Sequence, residues 1–539
     1  MKPQSLSFHH PIAVWLGCIA IVAGVLAHMP MFMMGASNGY QMVGMPMDTT
    51  MLVGMAMIPL GLLLAGFGLM PRLDQMRALR QGGHELHFHV ADSVPLNREH
   101  WKLVIVLVVA LAVDVLKPAS LGFVMPGMTR EYEISKETAG ILALVALTGT
   151  TVGSIVWGRL ADTFGRRATI LLSALMFIGT AICGAMPAFG WNLAMCFLMG
   201  ASAGGLLPIT FTLMAEMIPA AHRGWLLVAL GGVGTSAGYL LAAGAAAVLE
   251  PMFSWRAIWL LGLPTGLLIE FLDRFIPESP RFLANAGLEN EARAVLTRYA
   301  GVYDGDTITG EREQVAAHPD KMSAWELLRG PHARVTYGLM LCGVAWGLAN
   351  FGFLLWLPTN LRAMGLDAST ATALLARSAI LAMPGIAIVI WLYHRWSSIK
   401  ALVLFIALTT VCLLAFFFMG LLEIHSQTAM LIATAALLVS ASGVIAMLIP
   451  YAAEIYPVHL RGTGAGAIAA CSKFGGILGA LGGVLGLFGN LMVSALLIAV
   501  PMAVSALMLA RSGIDTRGRR LEDIQDSIAG KRASPVAGI

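Results

Sequence analysis

Hydrophobic and polar positions alternate along this chain in long blocks, not with the short period of a strand or a surface helix. Apolar runs long enough for a membrane helix, which takes about 20 residues to cross a hydrocarbon core roughly 30 Å thick, are separated by short polar segments. Two such runs, near 11–27 and 51–70, open the chain. Twelve more follow from Trp101, near 103–126, 138–157, 168–187, 191–213, 225–248, 255–272, 335–357, 370–391, 401–421, 428–450, 463–487 and 490–510. The pattern predicts an all-α membrane protein with about 14 transmembrane helices. The first run reads as an uncleaved helix rather than a signal peptide, although Val25-Leu26-Ala27 has the form of a cleavage site.

The polar segments set the domain organisation. Arg72 to Lys102 is basic and carries His84, His87 and His89. Asp273 to Arg334 is the one long internal polar stretch, with helical spacing over Ser279 to Tyr299 and a capping-box pattern at Ser323-Ala324-Trp325-Glu326. The tail from Arg511 is polar and basic and is expected to be loosely ordered. The expected divisions are a two-helix extension with a His-containing linker (1–100), a first six-helix half (101–274), a central loop (275–334), a second six-helix half (335–511) and a tail (512–539).

Composition narrows the class. The chain is 58% hydrophobic and 12% charged, about half the charged fraction of a soluble domain. Its net charge of +4 comes from basic residues in loops and tail, which set topology, so no nucleic-acid partner is expected. Basic inner loops and an even helix count put both termini in the cytoplasm, with the chain in the cell inner (plasma) membrane. The six cysteines all lie in apolar runs without metal-like spacing. No nucleophile–base pair, phosphate loop or dinucleotide fingerprint stands in a fitting context. An enzyme is therefore not expected, nor a cofactor, and the driving force should be an ion gradient.

The densest motif joins the second and third runs of the twelve: Gly158-Arg159-Leu160-Ala161-Asp162-Thr163-Phe164-Gly165-Arg166-Arg167. Gly158 and Gly165 permit a sharp turn and a close neighbour. Asp162 can accept from amides at the start of a facing helix and pair with Arg166 or Arg167. Ala215-Glu216-Met217-Ile218-Pro219-Ala220-Ala221-His222-Arg223-Gly224 recurs as Ala453-Glu454-Ile455-Tyr456-Pro457-Val458-His459-Leu460-Arg461-Gly462, closing the fourth run and opening the fifth of each half. Pro277-Glu278-Ser279-Pro280-Arg281-Phe282-Leu283 follows the sixth run.

The G-x-L-A-D-x-x-G-R-R pattern in this place resembles the main loop motif of the major facilitator superfamily. The Pro-Glu-Ser-Pro-Arg segment is similar to an element of its sugar and organic-ion porters. The resemblance covers Trp101 to about Arg511 and leaves the two leading helices unexplained. It implies two pseudo-symmetric six-helix halves with a transport site at the bilayer midplane. It further implies a monomeric carrier in the lipid bilayer, working on a small-molecule substrate and protons. By the same resemblance Gly158, Asp162, Gly165, Arg166, Arg167, Glu216, Arg223, Glu278 and Arg281, with Glu454 and Arg461, form a cytoplasmic gate. Its ion pairs close while the cavity faces outward. The second half departs from this pattern: Tyr393-His394-Arg395-Trp396-Ser397-Ser398-Ile399-Lys400 lacks the Gly-Asp-Gly-Arg frame, which argues against symmetric latching.

Charges inside a membrane are costly and tend to be functional. Asp114 and Lys117 stand three residues apart on one face of the first of the twelve runs. The resemblance implies that this helix lines the cavity, and related metabolite–proton symporters carry an acidic residue about where Asp114 lies. Asp114 is therefore the expected proton-coupling group, with Lys117 exchanging it for a substrate carboxylate; a static ion pair is the alternative. Organic-acid porters often place an arginine at the position matching Lys473, which makes it a second expected anion contact. Arg377, Asn350, Tyr239 and Trp346 complete the candidate substrate-binding set.

Absences discriminate among porters. The seventh run has no paired glutamines, the fourth no arginine, and the fifth, with Gly231, Gly232, Gly234 and Gly238, no Gly-Pro pair. An importing symporter for a small organic anion or related metabolite is favoured over an exporter or a neutral, sugar-like porter. A copper- or metal-binding membrane protein on a transporter scaffold is the alternative from another class. It rests on a methionine-rich stretch whose soft donors are Met42, Met45 and Met47 with His28; on the main reading no metal is bound.

Overall fold

A computed structural model describes residues 9–70, 94–286, 288–300, 326–354, 357, 384–423, 426–485, 487 and 490–528. Apart from turns, the described chain is helical. The first two long helices are α1 (Pro11–Leu26) and α2 (Thr49–Leu69). Then come α3 (Arg98–Glu131), α4 (Lys136–Phe164), α5 (Arg166–Gly179), α6 (Phe189–Met217) and α7 (Ala220–Phe253). A break at Leu261 divides the next helix into α8 (Arg256–Leu260) and α9 (Gly262–Leu272). Two polar helices follow, α10 (Pro280–Asn285) and α11 (Glu289–Ala300). The remainder is α12 (Ala333–Gly347), α13 (Gly385–Arg395), α14 (Ser398–Leu421), α15 (Gln427–Ile455), α16 (Arg461–Val484), α17 (Leu491–Ser512) and α18 (Leu521–Ile528).

Among the described residues, 12 helices are long and apolar enough to cross a membrane. Two more runs expected from the sequence are the broken α8–α9 and the run ending in α13, whose earlier part lies outside the described residues. The helices start where short polar side chains can take up the free amides of the first turn. Asp48 accepts from Met51 N at 2.8 Å to begin α2, and Asn97 accepts from Glu99 N and His100 N to begin α3. Ser135, Ser426 and Asn490 do the same for α4, α15 and α17.

The chain forms two compact units, one of Met1–Pro219 with Val233–Asp320, the other of Ala220–Gly232 with Lys321–Ile539. Within the first, α4 and α6 approach backbone to backbone. A Cβ at Gly149 would lie 2.1 Å from Phe197 O, and one at Gly200 the same distance from Ala146 O. Such small-residue seams replace the hydrophobic drive that lipid removes. Trp157 closes this seam by donating to Ala201 O at 2.7 Å. In the second unit α12 and α16 meet in the same manner, and α12 continues as a π-helical turn over Leu348–Leu354.

Candidate functional site

At the end of the first unit that carries the basic loop, Gly165 ends α4 and starts α5 with φ +104°, a conformation that favours glycine. A Cβ there would also sit 2.3 Å from the Glu278 carboxylate. Glu278 uses that closeness to accept the first amides of α5, Arg166 N at 2.8 Å and Arg167 N at 3.1 Å. Burial pushes its carboxyl above the usual range, and these amides and the Arg166 guanidinium pull it back. Arg166 is 0% exposed. Its guanidinium lies 2.9 Å from Glu216 and 3.4 Å from Asp162, and it donates to Ala161 O at 3.1 Å. Arg281 donates to Glu216 O at 2.9 Å. Six of the expected gate residues, Asp162, Gly165, Arg166, Glu216, Glu278 and Arg281, thus form one buried cluster. Arg167 turns away to a bidentate pair with Asp273, 2.8 Å on both arms, a partner not foreseen.

The second unit builds the same backbone arrangement with different side chains. Ser398 holds the place of Arg166 as first residue of its helix, and Asp515 accepts from Ser398 N at 3.1 Å and from its hydroxyl at 3.0 Å. Glu454, 2% exposed, accepts from Tyr393 at 3.1 Å and from the Thr516 hydroxyl at 2.6 Å. Arg461 is buried and donates to Tyr456 O at 3.1 Å, and Arg223, at the start of α7, donates to Arg519 O at 3.3 Å. The tail, expected to be loose, is ordered through α18. Tyr451 holds Ile514, Leu521 and Ile524 are buried, and Gln525 bridges His332 and Ile455 O. Asp515, Thr516, Ser398 and Tyr393 are not among the residues expected from the sequence. The signal was an acid–hydroxyl pair just past the last membrane helix of each half, Glu278-Ser279 and Asp515-Thr516.

The candidate transport residues separate. Asp114 is 4% exposed on α3. Lys117 is fully buried and turns to α5, donating to Thr180 Oγ1 at 2.6 Å and Phe177 O at 3.2 Å, with its ammonium 4.7 Å from the centre of the Phe177 ring. Among the described residues Lys117 makes no ion pair. Its shared face with Asp114 produces no salt bridge, because the neighbouring helix supplies carbonyl and hydroxyl acceptors first. In this structure Lys117 is held by α5 and not by Asp114. Trp346 is likewise spent on packing and donates to Ala441 O at 2.8 Å. Lys473 is half-buried on α16, and Asn350 lies half-buried in the π-helical turn that α16 packs against. Arg377 and the Tyr239 side chain lie outside the described residues. So do His84, His87 and His89.

In the methionine-rich connector, Met42 is buried with Met31, Phe32 and Met51 over Ala185 and Ala257, and Met45 and Met47 pack at the edge of that cluster. His28 is buried and donates from Nδ1 to Gly24 O at 2.8 Å. Thioethers used as core filler in this way explain the connector without a metal.

A bundle of membrane-crossing helices, built twice on one plan with a carboxylate-clamped turn at the same place in each half, defines a polytopic carrier. The Major Facilitator Superfamily model matches residues 103–480, and the chain belongs to that family. It is 28% identical over 72% of its length to the niacin transporter NiaP of Acinetobacter baylyi, covering 87% of that protein. It is 26% identical over 78% of its length to a gallate transporter of Pseudomonas putida, covering 94% of it. Its fold matches the solved proton:xylose symporter XylE with a TM-score of 0.62 and 16% identity, over 79% of this chain and 98% of that one. The protein is a multi-pass membrane transporter and not an enzyme.

Proposed function

We propose that this carrier takes up a small aromatic carboxylate, or a close organic-acid relative, together with protons, by alternating access across a bacterial inner membrane. The supporting observation is the chemistry shared by the substrates in the two relatives' names. Niacin and gallate differ in ring and substituents but are both aromatic monocarboxylic acids. In this reading Lys473 attracts the carboxylate, and Asn350, on a π-helical turn of the kind that recurs at functional sites, adds a polar contact. Asp114 takes and gives the proton. The buried cluster around Arg166 is the cytoplasmic latch, with both termini on the same side. The soft-metal reading has less support, since Met42 spends its amide on Glu131 and its side chain on the apolar cluster.

Uptake of labelled nicotinate, gallate and benzoate into proteoliposomes under an imposed pH gradient tests this, with xylose as control. Accumulation of at least one acid that a protonophore abolishes is the expected result. Asp114→Asn should lose accumulation but keep exchange. Lys473→Gln should raise KM about tenfold or more, the loss of one charge-assisted hydrogen bond. Accumulation of xylose alone would sink the substrate class, and accumulation indifferent to the gradient would sink the coupling.

A further inference from the structure

The family match begins at residue 103, so the α1–α2 hairpin and its connector are additions to the carrier. Their packing is specific. The two helices touch backbone to backbone: a Cβ at Gly17 would lie 2.6 Å from Gly61 O, and one at Gly24 2.7 Å from Gly54 O. His10 N closes the open end on Gly68 O at 3.1 Å. The paired helices then lie along α5. A Cβ at Gly179 would meet Ile58 at 2.7 Å, and one at Gly66 would stand 3.8 Å from Leu172. With α6 and α9 on its other sides, α5 has 94% of its apolar membrane window buried within the protein, against 44% for that of α4. The outward face of the hairpin is apolar, with Trp15, Ile19, Leu63 and Phe67 exposed.

The connector is fastened separately, at the opposite end from the gate cluster. The Glu131 carboxylate, at the end of α3, accepts Met42 N at 2.8 Å, Trp255 Nε1 at 2.8 Å and Arg256 Nη2 at 2.7 Å. Arg256 also donates to Met186 O at 2.8 Å, the carbonyl just after the turn that continues α5. One buried carboxylate therefore ties the connector to the end of α3 and the start of α8. Charge-assisted bonds of this kind, shielded from water, are the strong ones.

We infer that hairpin, connector and first six-helix unit pass through the transport cycle as one eight-helix body, with Glu131 as the docking residue for the connector. The work of the hairpin is to keep α5, whose first residue is the gate arginine Arg166, out of lipid. The rigid-body part rests on the alternating-access reading; the docking part does not.

The test uses the full chain carrying Gly66→Cys and Leu172→Cys, joined in membranes by a short thiol-specific cross-linker, with each single variant as control. The cross-link should form in high yield with and without a pH gradient, and the joined carrier should keep at least half its uptake. Failure to cross-link would overturn the docking. Uptake lost on cross-linking while both single variants transport would overturn the single body. Were the wild type to move none of the acids tried, the yield would still decide the docking, so the two readings fail separately. Hydrogen exchange gives a second measurement. Glu131→Ala should speed exchange at the Met42 amide about tenfold or more, and Glu131→Gln, which keeps an acceptor, should speed it less. Equal exchange in wild type and both variants would remove Glu131 from the docking role.

Discussion

The two units end in the same backbone geometry but give the buried acid different direct partners. In each, an acid from the segment after the last membrane helix accepts the first amide of the third helix of that half: Glu278 to Arg166 N, Asp515 to Ser398 N. A second buried acid, Glu216 or Glu454, stands beside it. In the first unit that acid meets a guanidinium at 2.9 Å, and Asp162 adds another negative charge at 3.4 Å. In the second it meets two hydroxyls, Tyr393 and Thr516. A turn can therefore be held by its backbone clamp while the buried acid beside it takes a guanidinium in one unit and hydroxyls in the other. In the first version one guanidinium, Arg166, serves both Glu216 and Asp162, so a single substitution removes the partner of two acids.

The largest expected effect tests that difference directly. Arg166→Ala strands Glu216 in a buried site, and breaking a buried pair costs about 3–5 kcal/mol. Ser398→Ala removes one hydroxyl donor from the Asp515 carboxylate without stranding a paired charge, about 1.5–3 kcal/mol for a hydrogen bond to a charged group. Thermal unfolding of the purified proteins should therefore separate them clearly. Arg166→Ala with Glu216→Gln should regain part of the loss, because the stranded charge is gone. Equal destabilisation by Arg166→Ala and Ser398→Ala would mean that the two turns are not electrostatically distinct.

The fold class was legible because apolar runs of membrane-crossing length leave helices as the main option. The halves were legible because Ala-Glu-x-x-Pro-x-x-x-Arg-Gly occurs twice. The members of the Arg166 cluster could be named because charge and glycine are conspicuous in so apolar a chain. Asp515 and Thr516 were hidden for the opposite reason: their segment reads as an ordinary polar tail, and order there comes from Tyr451, Ser398 and Glu454, far off in sequence. Lys117 shows the other limit. A three-residue spacing puts it on the face of Asp114, but only the position of Thr180 and Phe177 decides which neighbour satisfies it.

A middle-sized effect sharpens the second unit's side of the comparison. Thr516→Val keeps the shape and removes the donor to Glu454, about 1–3 kcal/mol for a buried acceptor losing one partner. Because Thr516 also fastens the tail, trypsin should cut at Arg517, Arg519 and Arg520 several-fold faster than in the wild type. Thr516→Ser should restore protection. If Thr516→Val left cleavage unchanged, the tail would be held by its other contacts, Tyr451, Gln525, Leu521 and Ile524, and the Thr516 hydroxyl would be incidental.

The smallest effect is a pH dependence expected in the second unit. His332 receives α18 through Gln525 at 2.8 Å, and burial lowers its pKa from the ordinary 6.5. In the released state the imidazole takes a proton near pH 6.5, while in the docked state it resists until lower pH. The undocked form therefore binds more protons in that window, so docking strength is full above 6.5 and falls as pH drops toward the lowered value. Hydrogen exchange over Leu521–Ile528 should speed up as pH falls below 6.5, after correction for the intrinsic pH dependence of exchange. His332→Gln should flatten that response. A tail equally protected at pH 5 and 7.5 in both proteins would show that α18 is held by its apolar side chains, with His332 a bystander.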